Sequence, residues 1–165
     1  MTVINERAFL IEVLFRFVQE ARLVAGIRRI AVVGSLTTLK PDPKDADVLV
    51  TVAEDVEFEA LAEFRRKLKG AAQTRNCGAD IFLATTDGHY IGRTCSFREC
   101  HPRVRFKGIS CRQGGWVCDD FHVLRLKDEL IAKPPLEVWP QVVIRGDLPP
   151  DIRESLFSQH SQRGP

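Results

Sequence analysis

Hydrophobic and polar positions follow two rhythms along the chain, and each marks a different kind of element. Over residues 5–25, Leu10, Leu14, Phe17, Val18, Ala21 and Val24 recur at steps of three and four, while Glu12, Arg16, Gln19 and Glu20 fall on the other side. That period predicts an amphipathic helix, capped by Asn5 and stopped by Gly26, which tolerates a left-handed backbone. The run Ile30-Ala31-Val32-Val33 is short and β-branched, as a buried strand over residues 29–33 should be, and Gly34 ends it. Over residues 46–52, Ala46, Val48, Val50 and Val52 alternate with Asp47, Leu49 and Thr51, so the two sets face opposite sides of a sheet. Asp55 is placed to cap a helix reaching Lys69, with Phe58, Leu61, Ala62 and Leu68 buried and Gly70 as its stop. A third strand is expected over residues 79–84.

After the turn Thr85-Thr86-Asp87-Gly88 no helical period returns for about forty residues. Val104, Phe106 and Gly108 alternate with Arg105 and Lys107, Gln113-Gly114-Gly115 reads as a hairpin turn into Trp116-Val117, and residues 121–126 read as another strand. Pro134-Pro135, Pro140 and Pro149-Pro150 punctuate an extended C-terminal run. One short helix is expected over residues 151–157 and a frayed tail over 158–165. The fold class is therefore α/β (α+β): a mixed sheet backed by helices over residues 1–87, then a β-rich extension over 88–157, in one domain.

Composition narrows the setting. A chain of 165 residues, 44% hydrophobic and with a net charge of +2, can build one core and is not expected to be disordered. No apolar run approaches the roughly 18 residues of a membrane span, and Asn5, Glu6 and Arg7 near the start do not suit a secretory signal. The expected setting is soluble and cytoplasmic, with no membrane partner. Charge is uneven: residues 88–127 hold eight basic and three acidic side chains, a balance of +5, which leaves −3 for the remainder. That stretch also holds four of the five cysteines, Cys95, Cys100, Cys111 and Cys118, with His101 and His122. An odd cysteine count without an export signal favours reduced thiols. The Cys/His spacings contain no Cys-x2-Cys pair, so zinc is not expected.

The chemistry concentrates in residues 31–50. Asp45 and Asp47 are two apart, so on a strand their carboxylates leave the same face. Two like charges that close call for a cation between them, and hard oxygen ligands suit Mg2+ or Mn2+. Gly34 allows a ligand close to the backbone, and the following turn with the Ser35 hydroxyl suits a phosphate. Asp80, at the head of the apolar run Ile81-Phe82-Leu83, joins the pair if its strand lies beside theirs. The set suits two-metal phosphoryl transfer.

An apolar strand ending Gly34-Ser35, a linker over residues 36–44, Asp45-Ala46-Asp47 with apolar neighbours and a later Asp80 together resemble the polymerase-β-like nucleotidyltransferase superfamily, nearest to its small bacterial members. The resemblance spans residues 27–84. It implies that Ser35 holds the β/γ-phosphates of a nucleoside triphosphate, that Asp45 and Asp47 bridge the metals, and that Asp80 ligates the catalytic metal or accepts the attacking proton. An acceptor hydroxyl would attack the α-phosphate and pyrophosphate would leave. Many small members carry Ala-Arg-Gly shortly after the Ser; this chain has Thr37-Thr38-Leu39, so Lys40 or Lys44 is the candidate replacement cation.

The function expected is transfer of a nucleoside monophosphate to an acceptor hydroxyl on a small molecule, a protein or RNA. The alternative is a catalytically silent nucleotide-binding or antitoxin-like module of the same fold. The basic second half would wall the cleft and meet triphosphate or a polyanionic acceptor. The chain leaves no room for a separate acceptor-binding domain, so the acceptor would bind that half or a partner chain, a second copy included. His89 and Tyr90, just after the third strand, read as two exposed turn residues at the border of the cleft.

Overall fold

A computed structural model describes residues 5–95, 110–112, 116–119 and 124–161. The first helix, α1 (Glu6–Ala21), is capped as expected, with the Arg7 amide donating to Asn5 Oδ1 at 3.0 Å. It stops four residues before the expected end. Leu23 is 78% exposed, and Gly26 is already committed to the next turn: its φ is +87° and a Cβ there would lie 2.6 Å from Val56 Cα. Close packing of Gly26 on Val56 turns the chain into β1 (Ile27–Val33).

A 3-10 turn (Gly34–Thr37) and a loop lead to β2 (Asp45–Val52), followed by α2 (Phe58–Gln73) and β3 (Gly78–Thr85). Two punctuation residues act differently from the sequence expectation. Asp55 is not the cap of α2, which starts after Glu57 with no side-chain cap, and Gly70 does not stop it. The helix runs on because Ala72 is fully buried against the core, and burial outweighs the weak helix propensity of one exposed glycine.

The second half contributes β4 (Tyr90–Thr94), β5 (Ser110–Arg112), β6 (Val117–Asp119), α3 (Asp128–Ala132), β7 (Leu136–Trp139), β8 (Val143–Ile144) and α4 (Pro150–Ser161). The strands β5 and β6 pair antiparallel on either side of the expected hairpin turn, whose own residues 113–115 lie outside the described ones. The alternation at Val104, Phe106 and Gly108 also lies outside them. Residues 124–126, expected as strand, have no regular structure, and the short helix α3 that follows was not foreseen. The helix α4 extends through Ser161, so residues 158–161 are helical rather than a frayed tail; its Ile152 and Leu156 are buried.

All eight strands join one mixed sheet in the order β5-β6-β4-β3-β2-β1-β7-β8, confirming the α/β class. Among the described strands only β2 and β3 run parallel, joined by α2 as the crossover; the other pairs are antiparallel. One sheet face, including Val48, Val50, Ile81 and Leu83, packs with the apolar sides of α1, α2 and α4. The other face carries a smaller cluster of Ala31, Val33, Leu49, Phe82, Ala84, Tyr90, Leu126 and Ile131. Tyr90 is therefore a core residue, 5% exposed, and not a turn residue at a cleft; His89 is exposed and pairs with Asp87 at 3.4 Å. Among the described residues no helix is long and apolar enough to cross a membrane.

Candidate active site

Register places the acids. The parallel pairing of β2 and β3 sets Asp47 directly opposite Asp80 and Asp45 opposite Gly78, while β1 sets Val33 opposite Asp47. The period of two then puts Asp45, Asp47 and Asp80 on the sheet face that also carries Leu49 and Phe82. They occupy the open end of that face, where β2 and β3 begin. Alternating Ala46 and Val48, fully buried on the helical side, pin the strand so that this orientation has no competitor.

Two glycines make room for the acid pair. At Gly34, φ is +74° and a Cβ would fall 2.5 Å from Asp47 Oδ2. At Gly78 a Cβ would collide with Asp45 Oδ1. Each carboxylate thus lies over bare backbone, one at the end of β1 and the other at the start of β3. Gly34 stands out in the sequence beside Ser35, whereas nothing in the local pattern marks Gly78.

The electrostatics of the pair are unusual. Burial, then the negative charges of Asp80 and Asp45, push the Asp47 carboxyl up to about 7, with the Arg93 guanidinium pulling the other way. Asp80 accepts a hydrogen bond from Arg93 Nη1 at 3.2 Å, and Arg65 Nη2 from α2 lies 3.7 Å from the same oxygen. Neither arginine was identified from the sequence. Arg93 faces Phe82 across β3 and β4 and so shares Asp80's face, a relation that strand pairing sets and sequence spacing does not carry.

The remaining expected residues lie at the β1 end. Ser35, half-buried in the 3-10 turn, accepts through its carbonyl from the Thr38 amide and hydroxyl, and Thr37 Oγ1 donates to Gly34 O at 2.7 Å. Lys44 is not brought to the carboxylates. Its exposed ammonium pairs with Glu6 on the first turn of α1, which raises its pKa. Lys40 is exposed in the loop. Among the described residues, the cations beside the acids are Arg93 and Arg65.

A divalent ion suits part of this set. The half-buried Asp47 carboxyl, raised to about 7 by burial first and then by Asp80 and Asp45, is a place where added positive charge is favoured. Among the described residues, however, no three His, Cys, Asp or Glu side chains are gathered so as to hold a metal. Asp45 and Asp47 are the two hard oxygen ligands that would hold such an ion. Asp80, held by two arginines, is outside that set. Cys77, Cys95 and Cys118 are buried thiols; Cys100, His101 and His122 lie outside the described residues, as does the side chain of Cys111. Of the basic residues expected to wall the cleft, Arg98, Arg103, Arg105 and Lys107 also lie outside them.

No curated protein and no solved structure matches the chain. A family profile described as "Family of unknown function (DUF6932)" matches residues 2–110, a span that holds every acid and glycine of the site. The chain belongs to that family.

Proposed function

We propose that the chain is a nucleotidyltransferase that binds a nucleoside triphosphate at the Gly34-Ser35 turn and transfers its nucleoside monophosphate to an acceptor hydroxyl. The observation that carries this reading is the direct pairing of Asp47 with Asp80 across parallel strands, with Asp45 two residues earlier on the same face and Gly34 against the Asp47 carboxylate. The resemblance of the Gly34-Ser35, Asp45-Ala46-Asp47 and Asp80 pattern to polymerase-β-like nucleotidyltransferases supports it. When bound to Asp45 and Asp47, Mg2+ or Mn2+ supplies charge neutralisation for the triphosphate and its leaving pyrophosphate.

The chain's own residues then have distinct tasks. The Gly34-Ser35 turn receives phosphate oxygens beside the acid pair. Asp45 and Asp47, fixed over Gly78 and Gly34, orient what they ligate with little freedom to move. Asp80 is placed to accept the proton of an acceptor hydroxyl brought to the β3 side, and the hydrogen bond from Arg93 fixes the direction of its carboxylate.

Incubation with each labelled nucleoside triphosphate and Mg2+ or Mn2+, with a cell extract as the source of acceptors, tests the reading. Pyrophosphate release or label transfer is expected, lost in Asp45→Asn and Asp47→Asn variants that keep the fold. Absence of any turnover by folded protein removes the enzyme assignment. A second reading, nucleotide binding without transfer, is favoured by the engagement of Asp80 with Arg93 and Arg65. It predicts a calorimetric binding signal for a nucleotide that persists unconverted.

A further inference from the structure

Arg7 is the most heavily engaged buried charge in the described part of the fold outside the carboxylate site. It sits in the first turn of α1 at 7% exposure, and its guanidinium reaches three backbone carbonyls of the loop between β1 and β2. Nη2 donates to Leu36 O at 2.8 Å, and Nη1 donates to Ser35 O at 3.4 Å and to Lys40 O at 3.3 Å. Nε donates to Asp151 Oδ2 at 2.5 Å. Asp151 in turn accepts the Ile152 amide at 2.8 Å in the first turn of α4, so its carboxylate is itself held.

The consequence for the loop is specific. Three carbonyls spread over six residues converge on one planar donor, which fixes their direction toward α1 and leaves the loop little choice of conformation. A planar fork of donors does this where a point charge could not. The same loop carries Gly34 and Ser35 at one end and Asp45 at the other, so its shape sets where Ser35 stands relative to the acid pair. Asp151 lies beyond the family-matched span of 2–110, so a residue inside that span is oriented by one outside it.

We infer that Arg7 is a positioning residue for the nucleotide, holding the 34–40 loop in its phosphate-receiving shape, with Asp151 as its orienting partner. This rests on the proposed reading of that site as nucleotide-binding. Arg7 touches no substrate; it acts through the loop.

Titration calorimetry with the Mg2+ complexes of ATP, GTP, CTP and UTP tests it, on wild type, Arg7→Gln, Arg7→Lys, Asp151→Asn and Arg29→Gln. Arg29 makes a comparable set of bonds, to Thr51 Oγ1, Glu137 and Ile131 O, at a distance from the loop, so its variant reports loss of stability without loss of positioning. Arg7→Gln is expected to weaken the preferred nucleotide about 10- to 100-fold, because apparent affinity falls with the fraction of molecules whose loop keeps the binding shape. Arg7→Lys should recover part of the loss, Asp151→Asn should lose less than Arg7→Gln, and Arg29→Gln should bind as wild type. Amide exchange should speed up over residues 34–40 in Arg7→Gln and not in Arg29→Gln.

Wild-type affinity in Arg7→Gln, or an equal loss in Arg29→Gln, overturns the positioning role while leaving the nucleotide reading intact. If Arg7→Gln does not fold, Asp151→Asn carries the comparison, and wild-type affinity there overturns the role. Failure of wild type to bind any of the four nucleotides overturns the nucleotide reading and this inference with it.

Discussion

Asp47 and Asp80 face each other across parallel strands, and Arg93 hydrogen-bonds Asp80 while its charge also acts on Asp47. Asp47 titrates near 7, pushed up by burial first and then by its acidic neighbours. Asp80→Asn should lower the Asp47 midpoint, and Arg93→Gln should raise it further. Burial persists in both variants, so neither should restore the ordinary value of 3.8. Carbon-detected titration of the Asp47 carboxyl in metal-free buffer reads both shifts, and movement in the opposite direction would sink this electrostatic account.

Stability should follow the same group. Because the folded carboxyl titrates about 7 and the unfolded one at 3.8, the unfolded chain releases a proton that the folded chain keeps. The fold therefore loses stability from Asp47 as pH rises from about 4 to about 7, with the full cost present above 7. Asp47→Asn removes that slope and should be the more stable protein at pH 8 in chelator. Denaturation midpoints across this range measure it. Protons and cations compete for the same oxygens, so the Mg2+ affinity of wild type should drop about tenfold between pH 8 and pH 6.

Gly34→Ala places a methyl group 2.5 Å from Asp47 Oδ2 at a backbone angle of +74°. Destabilisation of about 1–3 kcal/mol is expected, from left-handed strain and from displacement of the carboxylate. In an Asp47→Ala background only the strain remains, so the loss should be smaller there, and urea denaturation of the double-mutant cycle checks the difference. Equal losses in both backgrounds would show that the carboxylate does not lie over Gly34.

Gly70 tests a different part of the fold. It lies inside α2, without positive φ, and a Cβ there meets nothing within 4 Å. Gly70→Ala should therefore stabilise the protein by roughly 0.5–1 kcal/mol through helix propensity and a less flexible unfolded chain. Loss of stability in urea would instead restore Gly70 as the helix stop.

Strands β1, β2 and β3 were legible because each is a compact run of β-branched and aliphatic residues, and the acids fall at positions that period two assigns without ambiguity. The adjacency of Asp47 and Asp80 follows once β3 lies beside β2, as strands joined by a single helix commonly do, because both acids stand near the start of their strands. The counter-ions were not legible. Arg93 reaches Asp80 through strand pairing and Arg65 through helix packing, and neither relation leaves a trace in local spacing. Lys44 misled for the converse reason: nearness in sequence to Asp45 says nothing about Glu6, thirty-eight residues earlier, which claims it. Helix ends were misread at Gly26 and Gly70 because a glycine signals freedom to turn, while tertiary contact decides whether the turn is made.

The strand that covers the outer edge of β1 is β7, which pairs Leu136, Glu137 and Trp139 with it from roughly a hundred residues further along. At about 5–20 residues per second, synthesis leaves that edge of the nascent chain open for several seconds after β1 and β2 have emerged. The acid-bearing strands can then assemble early, while a bare ribbon of amides and carbonyls waits beside them. An unfinished chain is thus exposed to edge-to-edge association with its neighbours on a polysome, a hazard that ends only when the last quarter of the polypeptide arrives.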